Sequence, residues 1–307
     1  FPGEKRGNNL FDTEAIRAND DMTAAFHTLL MSPSTVWFGL GVGQGGKYLK
    51  LGDESIKWLS DSVMIMLDVM NGSNLAVESA EAFQDLGSIG TTVLRIEEDD
   101  EEIVRFYSHP IYKANIKENY KGDVRTVSIM QEYDEDQMFE LYGPAIEKND
   151  ELKRAIANCG GKKFEVIVEV GQRTKHEIEE GEIGSGQMPF YSIHILKGKA
   201  ITLKESGFEE WPYAVPRITK INEEVYGRSP AMKVLADIKM MNQMKKVTIQ
   251  SAQLNMGPPI QAPHNAFLAP LDLTPFGVNY RRGSEKAEPL FSGSNVQFSI
   301  EILEYIK

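Results

Sequence analysis

Residues 229–255 read SPAMKVLADIKMMNQMKKVTIQSAQLN, and no other part of the chain carries so long a helical pattern. Ser229 is a favourable N-cap residue, and Pro230 suits the first position of a helix. Apolar side chains recur along one side, from Val234 to Ala252, at the spacing of an amphipathic helix. The sequence therefore predicts one uninterrupted helix from Ser229 almost to the end of this stretch.

The opposite side of this helix is polar. Lys239, Gln243, Lys246 and Gln250 follow that side, spaced four, seven and eleven residues from the first. A helix with one apolar face for packing and one polar face suits the lining of an aqueous channel. The alternative is that the stripe is a solvated or subunit-facing surface without a role in a channel.

Upstream of this helix the hydrophobic period alternates between that of helices and that of strands, which predicts an α+β fold. The predicted helices lie within residues 12–33, 55–70, 75–86, 135–143 and 150–161. The predicted strands are residues 90–98, 124–133, 163–173, 189–198 and 199–206, with the last two forming a hairpin.

Downstream of the helix, residues 257–295 contain six prolines together with many apolar side chains. Phe267 and Tyr280 belong to this segment, and the pair Arg281 and Arg282 follows. Apolar and aromatic side chains in irregular structure are typical of an interface. We therefore expect this segment to pack, or to contact a partner.

Composition limits the function classes. The chain has 307 residues, 41% of them hydrophobic, and a formal net charge of −12. Proteins that grip DNA by its phosphates are usually basic, so a sequence-specific DNA binder is disfavoured. No run of 18 apolar residues is present, which predicts no membrane partner. The single cysteine, Cys159, forms no internal disulfide and fits a reducing compartment.

Residues 39–48, GLGVGQGGKY, resemble a phosphate-binding loop, because Gly41 is followed by four residues, a glycine and Lys47. Such a loop needs a buried strand before it, a helix directly after it, and Ser or Thr where Tyr48 stands. Helical periodicity resumes only near Ser55. We therefore predict a flexible turn, and keep a nucleotide-binding enzyme as the alternative.

No other pattern points to catalysis, a cofactor or a metal. The acidic run 97–102 could hold a divalent ion, but is more simply the solvated turn of a hairpin. Cys159 has no identifiable catalytic partner. The histidines, at spacings that do not suit metal ligation, are His27, His109, His176, His194 and His264. The sequence therefore predicts a protein that is not an enzyme.

Several stretches, in order along most of the chain, together resemble one family: the portal, or head-to-tail connector, proteins of short-tailed double-stranded DNA phages. The most specific is ESGFEEWPYAVPRITKINEEVYGRSPAMKVLADIKMMNQMKK, and AFQDLGSIGTTVLRIEED is the next. The matching stretches are residues 10–40, 82–99, 105–127, 205–246, 271–282 and 298–307.

The resemblance implies a structural ring of about twelve copies at one capsid vertex, through which double-stranded DNA is packaged and ejected. It also implies docking to the terminase large subunit, which holds the ATP, and to a head-tail adaptor or tail proteins. Capsid and scaffold proteins would be further partners. The protein would reside in the virion after assembly in the host cytoplasm.

The resemblance also divides the chain into an α/β wing, a stem helix, a proline-rich clip and the start of a second stem helix. The family's crown is expected to be absent from this chain. Channel residues would be Lys239, Gln243, Lys246 and Gln250, and clip residues that meet a partner would be Phe267, Tyr280, Arg281 and Arg282. The segments are residues 1–222, 223–254, 255–295 and 296–307, in that order. Another virion head-tail structural protein remains a rival interpretation.

Overall fold

A computed structural model describes residues 9–32, 35–42, 51–157, 161, 163–181, 184–198, 201–256, 260–261 and 288–289. The chain divides into two units by its internal contacts. The first consists of residues 1–17 and 234–307, and the second of residues 18–233. Helices and strands are mixed along the chain, which confirms the predicted α+β class.

The first three helices begin and end close to the predicted residues, whereas the short helix Lys175–Glu180 was not predicted. In chain order the helices are α1 (Glu14–Leu30), α2 (Asp53–Gly72), α3 (Leu75–Ser88), α4 (Glu135–Lys148), α5 (Asp150–Ala157), α6 (Lys175–Glu180), α7 (Pro230–Lys233) and α8 (Leu235–Met256). Among the helices that the structure describes, none has the length and apolar composition needed to cross a membrane.

The strands that the structure describes belong to three antiparallel sheets. They are β1 (Val93–Asp99), β2 (Ile103–His109), β3 (Ala114–Glu118), β4 (Val124–Tyr133), β5 (Phe164–Gln172), β6 (Phe190–Leu196), β7 (Ile201–Phe208), β8 (Tyr213–Ala214), β9 (Ile260–Gln261) and β10 (Glu288–Pro289). The strand orders are β3-β4-β5-β6-β7, β2-β1-β8 and β10-β9.

The five-stranded sheet forms the centre of the second unit. Its strand β5 alternates as predicted, with Val166, Val168 and Val170 almost fully buried. These side chains belong to one hydrophobic core with Met138 of α4 and Ile156 of α5. Each such buried side chain contributes about 1.5–3 kcal/mol relative to an exposed one. The predicted hairpin of the last two strands is confirmed by the antiparallel pairing of β6 with β7.

The smaller sheet carries the acidic run. Strands β1 and β2 form an antiparallel hairpin in which Asp99 pairs with Ile103. The predicted hairpin is confirmed, with residues 100–102 of the acidic run as its turn and residues 97–99 at the end of β1. Helix α3 is fastened to β2 by the Asn74 side chain, whose amide accepts from the Phe106 N–H at 2.9 Å and donates to the Phe106 carbonyl at 2.7 Å. The Asn74 amide thus pairs with the backbone of β2 as a neighbouring strand would.

Helix α4 continues beyond its predicted end through a kink. Tyr142 has non-helical φ and ψ angles, two residues before Pro144. Proline lacks an N–H and its ring crowds the preceding turn, which accounts for the bend. The start of α4 is fixed by a capping box between Asp134 and Gln137.

The predicted uninterrupted helix after Ser229 is wrong, because α7 ends at Lys233 and α8 begins at Leu235. The Ser229 hydroxyl accepts from the Met232 N–H at 2.9 Å and donates to the Ser88 carbonyl at 2.8 Å. These bonds tie α7 into the second unit, whereas Val234 already belongs to the first. Both segments keep helical spacing, so periodicity carries no sign of the break.

Candidate functional site

Helix α8 is held along its middle by the chain just before α1. The Asn242 side-chain oxygen accepts from the backbone N–H groups of Phe11 at 2.7 Å and Asp12 at 3.1 Å. Its side-chain nitrogen donates to the Asn9 carbonyl at 2.9 Å. One amide side chain therefore pairs with three backbone groups of an otherwise irregular segment.

An ion pair strengthens the same junction. The Lys245 ammonium contacts the Asp12 carboxylate, which is almost fully buried. Burial alone would raise the pKa of Asp12, but hydrogen bonds from Lys245 and from the backbone of Glu14 and Thr13 lower that pKa below its ordinary value. Asp12 is thus held ionised, and removing Lys245 would leave a buried carboxylate without its cation.

The four residues of the predicted polar stripe of α8 differ in exposure, because one of them contacts the N-terminal segment. Lys239, Gln243 and Gln250 are exposed. Lys246 is half-buried, and its ammonium lies 5.6 Å from the centre of the Phe11 ring. A cation over an aromatic face is an attractive contact of about 0.5–1 kcal/mol at a partly exposed site. Three of the four predicted channel residues therefore face solvent in the single chain, and one contacts its own N-terminal segment.

Beside the polar stripe, α8 exposes apolar side chains. Met240 and Val247 are each 45% exposed. Ala236, which lies four residues before Met240, is also exposed. Residues at these spacings lie on one side of a helix, adjacent to Gln243. Met241, by contrast, is buried. Helix α8 therefore has a packed side, a polar stripe and an exposed apolar stripe, which we define as Ala236, Met240 and Val247.

In the second unit, two separated stretches meet with their backbones in close contact. The Gly227 N–H donates to the buried Thr91 hydroxyl at 2.7 Å. Gly90 has a φ of +91°, and a Cβ there would lie 2.5 Å from the backbone of Arg228. A Cβ on Gly227 would lie 2.5 Å from the Gly90 carbonyl oxygen. Only glycine fits at either position without a shift of the backbone.

Arg217 fixes the loop that leads to this junction. Its guanidinium contacts the Glu118 carboxylate and donates to the Val225 carbonyl at 2.9 Å. Lys220 also contacts Glu118, at 2.6 Å. The hydrogen bond from Lys220 and the contacts with Arg217 lower the pKa of Glu118, against the opposing effect of burial. The cluster holds the loop against the end of β3.

The glycine-rich stretch is described only from residue 39 to residue 42. Residues 35–42 form no strand, and α2 begins at Asp53 with Gly52 as its N-cap. The first turn of α2 carries Asp53 and Glu54, whose charges would repel a phosphate. The strand that a phosphate-binding loop requires before it is therefore missing among the described residues that precede this stretch. Lys47, Tyr48 and the predicted flexible turn lie outside the described residues.

The other candidate groups are placed as follows. No cluster of metal-ligating side chains occurs within the described ranges. His194 is packed against Tyr142, whose hydroxyl lies 2.8 Å from Nδ1, as expected for a histidine within a strand. Cys159 and His264 are not among the described residues. The same holds for the predicted clip residues Phe267, Tyr280, Arg281 and Arg282.

Comparison with known proteins identifies the family. The family model described as "Bacteriophage head to tail connecting protein" matches residues 1–304. The chain belongs to the family of phage head-to-tail connecting proteins. The structural junctions above link the stretches that resemble this family most closely, since Gly90 and Thr91 meet Gly227 across 136 residues of sequence.

Two curated relatives are named as portal proteins. A "Probable portal protein" of Bordetella phage BPP-1 is 24% identical over 283 residues, which cover 91% of this chain and 50% of the relative. A "Portal protein" of Salmonella phage epsilon15 is 25% identical over 282 residues, which cover 90% and 50%. The chain therefore spans about half the length of these portal proteins.

Sequence reasoning missed the residues that fix α8. Asn242 and Lys245 interrupt its apolar pattern, and a polar residue on a packed side indicates a buried hydrogen bond. One role of Asp12 is local, since its side chain accepts from the Glu14 N–H at the start of α1, at 3.4 Å. Its second role, with Lys245, depends on a contact across 233 positions that no local pattern reveals.

Proposed function

We propose that this connector-family chain forms a closed ring of about twelve copies at one vertex of the capsid. Double-stranded DNA would pass through the ring during packaging and ejection. The terminase large subunit, and later a head-tail adaptor or tail proteins, would dock on it. Capsid and scaffold proteins would surround it, in the virion and during assembly in the host cytoplasm.

The observation that carries this proposal is the exposed surface of α8. Its polar stripe presents Lys239, Gln243 and Gln250, and its exposed apolar stripe lies directly beside them. In a ring, the apolar stripe would pack against the neighbouring subunit while the polar stripe faces the central channel. Contact with a neighbouring subunit explains why these apolar side chains are exposed in the single chain, because exposed apolar patches mark interaction sites.

The charge of the chain supports passage of DNA rather than retention. A net charge of −12 disfavours tight binding to phosphates, which needs many cations and the release of their counterions. Lys239 repeated around a ring would supply a sparse circle of positive charge. Such a circle would guide a duplex along the axis without holding it.

The proposed assignment of segments follows the resemblance to the portal family. Residues 1–222 would be the wing, residues 223–254 the first stem helix, residues 255–295 the clip, and residues 296–307 the start of a second stem helix. Within the clip, β9 pairs with β10 and so joins two distant parts of that segment. Phe267, Tyr280, Arg281 and Arg282 would meet the docking partners.

Site-specific photo-crosslinking tests this assignment. A photoreactive residue placed at Gln243 should crosslink to DNA during packaging, whereas the same residue at Met240 should crosslink to a neighbouring subunit. The two positions lie three residues apart on α8, so they serve as matched controls for each other. Crosslinks from Gln243 to protein alone, with DNA crosslinks from Met240, would reverse the assignment of the two stripes.

A further inference from the structure

The second unit contains a cavity of about 280 Å³ between its two larger sheets. Its wall combines side chains of β1 and β8 from the smaller sheet with those of β4, β5, β6 and β7, and α4 closes one side. The volume is several times the roughly 30 Å³ that one water molecule occupies in the liquid. A small polar molecule therefore has room between the sheets.

Two hydrogen-bond donors in this wall lack acceptors. Tyr213 is 5% exposed, and its hydroxyl oxygen lies near the Arg95 side chain, but its hydroxyl proton has no acceptor among the described residues. The buried Nε of Arg95 likewise has none. Both side chains line the cavity. Buried polar groups are normally paired, so two unpaired donors at one cavity point to a missing acceptor.

The neighbouring polar groups of the wall are satisfied, which makes these two donors stand out. The Tyr142 hydroxyl lies 2.8 Å from His194 Nδ1, and the Ser192 hydroxyl lies 3.3 Å from His194 Nε2. The Tyr133 hydroxyl donates to the side-chain oxygen of Gln131. Tyr142, His194, Ser192 and Tyr133 thus have polar partners, whereas the Tyr213 hydroxyl proton and Arg95 Nε have no acceptor.

The charges of the wall favour an anion. Arg95 and Lys204 are cations and Glu97 is an anion, so these three side chains carry a net charge of +1 in a chain of −12. Glu97 contacts Arg95 through Nη2 at 3.2 Å, and the Nε–H of the guanidinium remains without an acceptor. Lys204 lines the cavity and is exposed, so the cavity reaches the surface at that residue.

We propose that this cavity is a binding site for a small oxyanion, either phosphate or a carboxylate. Oxygens of the anion accept from the Tyr213 hydroxyl and from Arg95 Nε, and Lys204 supplies a further cation at the entrance. Glu97 limits the affinity by its charge and orients the guanidinium. The site does not involve α8, because its wall belongs entirely to residues 18–233.

Thermal unfolding and calorimetric titration of the chain test the proposal. The ligands are sodium phosphate and sodium acetate, each compared with sodium chloride at pH 7 and equal ionic strength. A bound oxyanion should raise the unfolding midpoint in a saturable manner, by about 3 °C at concentrations well above Kd. A response to phosphate alone, or to acetate alone, identifies which of the two oxyanions the cavity takes.

Substitutions connect the response to the cavity. Tyr213→Phe should weaken the binding of the oxyanion about tenfold, because it removes one charge-assisted hydrogen bond. Glu97→Gln should strengthen it, because a competing negative charge is lost. Tyr120→Phe is the matched control, since Tyr120 is 92% exposed and does not line the cavity.

Three results would overturn the proposal. Equal midpoints in phosphate, acetate and chloride would mean that the cavity holds only water. An unchanged affinity in Tyr213→Phe would place any bound anion elsewhere. If Tyr213→Phe does not fold, Glu97→Gln decides alone, and an affinity no higher than that of the unsubstituted chain contradicts the site.

Discussion

Gly227 donates its backbone N–H to the hydroxyl of Thr91 at 2.7 Å, and Thr91 is fully buried. Beside this bond, Gly90 has a φ of +91° and lies against the backbone of Arg228. The chain that leads into α7 is therefore fixed to the segment between α3 and β1.

The junction should be sensitive to a single methyl group. We expect Gly90→Ala to cost about 3 kcal/mol or more of unfolding free energy, because the new Cβ requires a left-handed backbone and meets the backbone of Arg228. Gly72→Ala is the control, since a Cβ there has no neighbour within 4 Å. Denaturant unfolding of both variants measures the difference, and equal costs would contradict the account.

The hydroxyl of Thr91 should contribute to stability through its hydrogen bond, beyond the volume that the side chain fills. Thr91→Val keeps the volume but leaves the Gly227 N–H without its acceptor, so we expect a loss of about 1–3 kcal/mol in the free energy of unfolding. Thr28→Val serves for comparison, because the Thr28 hydroxyl donates to the Ala24 carbonyl at an exposed site. That variant should remain within about 0.5 kcal/mol of the unsubstituted chain.

Asn242 should control the N-terminal segment without unfolding the second unit. Asn242→Ala removes the acceptor of the Phe11 and Asp12 N–H groups, so we expect their hydrogen-exchange protection to fall about tenfold. The exposed neighbour Gln243 provides the control, as Gln243→Ala should leave both amides unchanged. Protection that survives in Asn242→Ala would show that Lys245 alone holds the segment.

Stability should fall in mild acid because two histidines are buried in the second unit. Burial, with smaller contributions from nearby cations, lowers the pKa of His109 to about 4 and that of His194 to about 4. The unfolded chain, with histidine pKa values near 6.5, then binds more protons than the folded chain between pH 6.5 and 4. Each histidine therefore removes up to about 1.4 kcal/mol per pH unit as pH falls through this window.

Urea unfolding at pH 6.5, 6 and 5.5 isolates this effect, since most carboxylates titrate at lower pH. Replacing His109 or His194 with Gln should flatten the dependence on pH. His176→Gln should not, because His176 lies at the surface near Glu180. A dependence that is the same in all three variants would exclude the buried histidines as its source.

The exposed apolar stripe of α8 should be required for assembly. Val247→Asp would place a charge in the proposed contact between subunits, where burying it without a partner costs several kcal/mol, so rings should fail to form. Gln243→Asp introduces the same charge on the neighbouring polar stripe and should leave assembly intact. Sedimentation of both variants distinguishes them, and normal rings in Val247→Asp would remove the stripe from the interface.

Local patterns predicted most of the secondary structure, because each element carries its own period. The alternation of Val166, Val168 and Val170 fixed the buried face of β5, and the acidic run marked the hairpin turn. The break at Val234 was not predicted, since both helical segments keep one period across it. The hydrogen bond from Ser229 to Ser88 fixes the start of α7 in the second unit, and this contact exists only in the folded chain.

The candidate sites were harder to predict from the sequence, because contacts between distant parts of the chain leave no local pattern. The polar stripe of α8 follows from spacing, but the contact of Lys246 with Phe11 joins residues 235 positions apart. The cavity near Tyr213 was not predicted at all. Its wall draws one to three side chains from each of six strands, and no local pattern in those strands marks them as neighbours.

The most direct test of the central proposal is the symmetry and native mass of the assembled protein, purified at its natural length and observed by light scattering and electron microscopy. We predict closed rings of about twelve subunits around a central opening wide enough for a DNA duplex. A single monomeric or dimeric species at all concentrations and salt conditions would contradict the portal assignment.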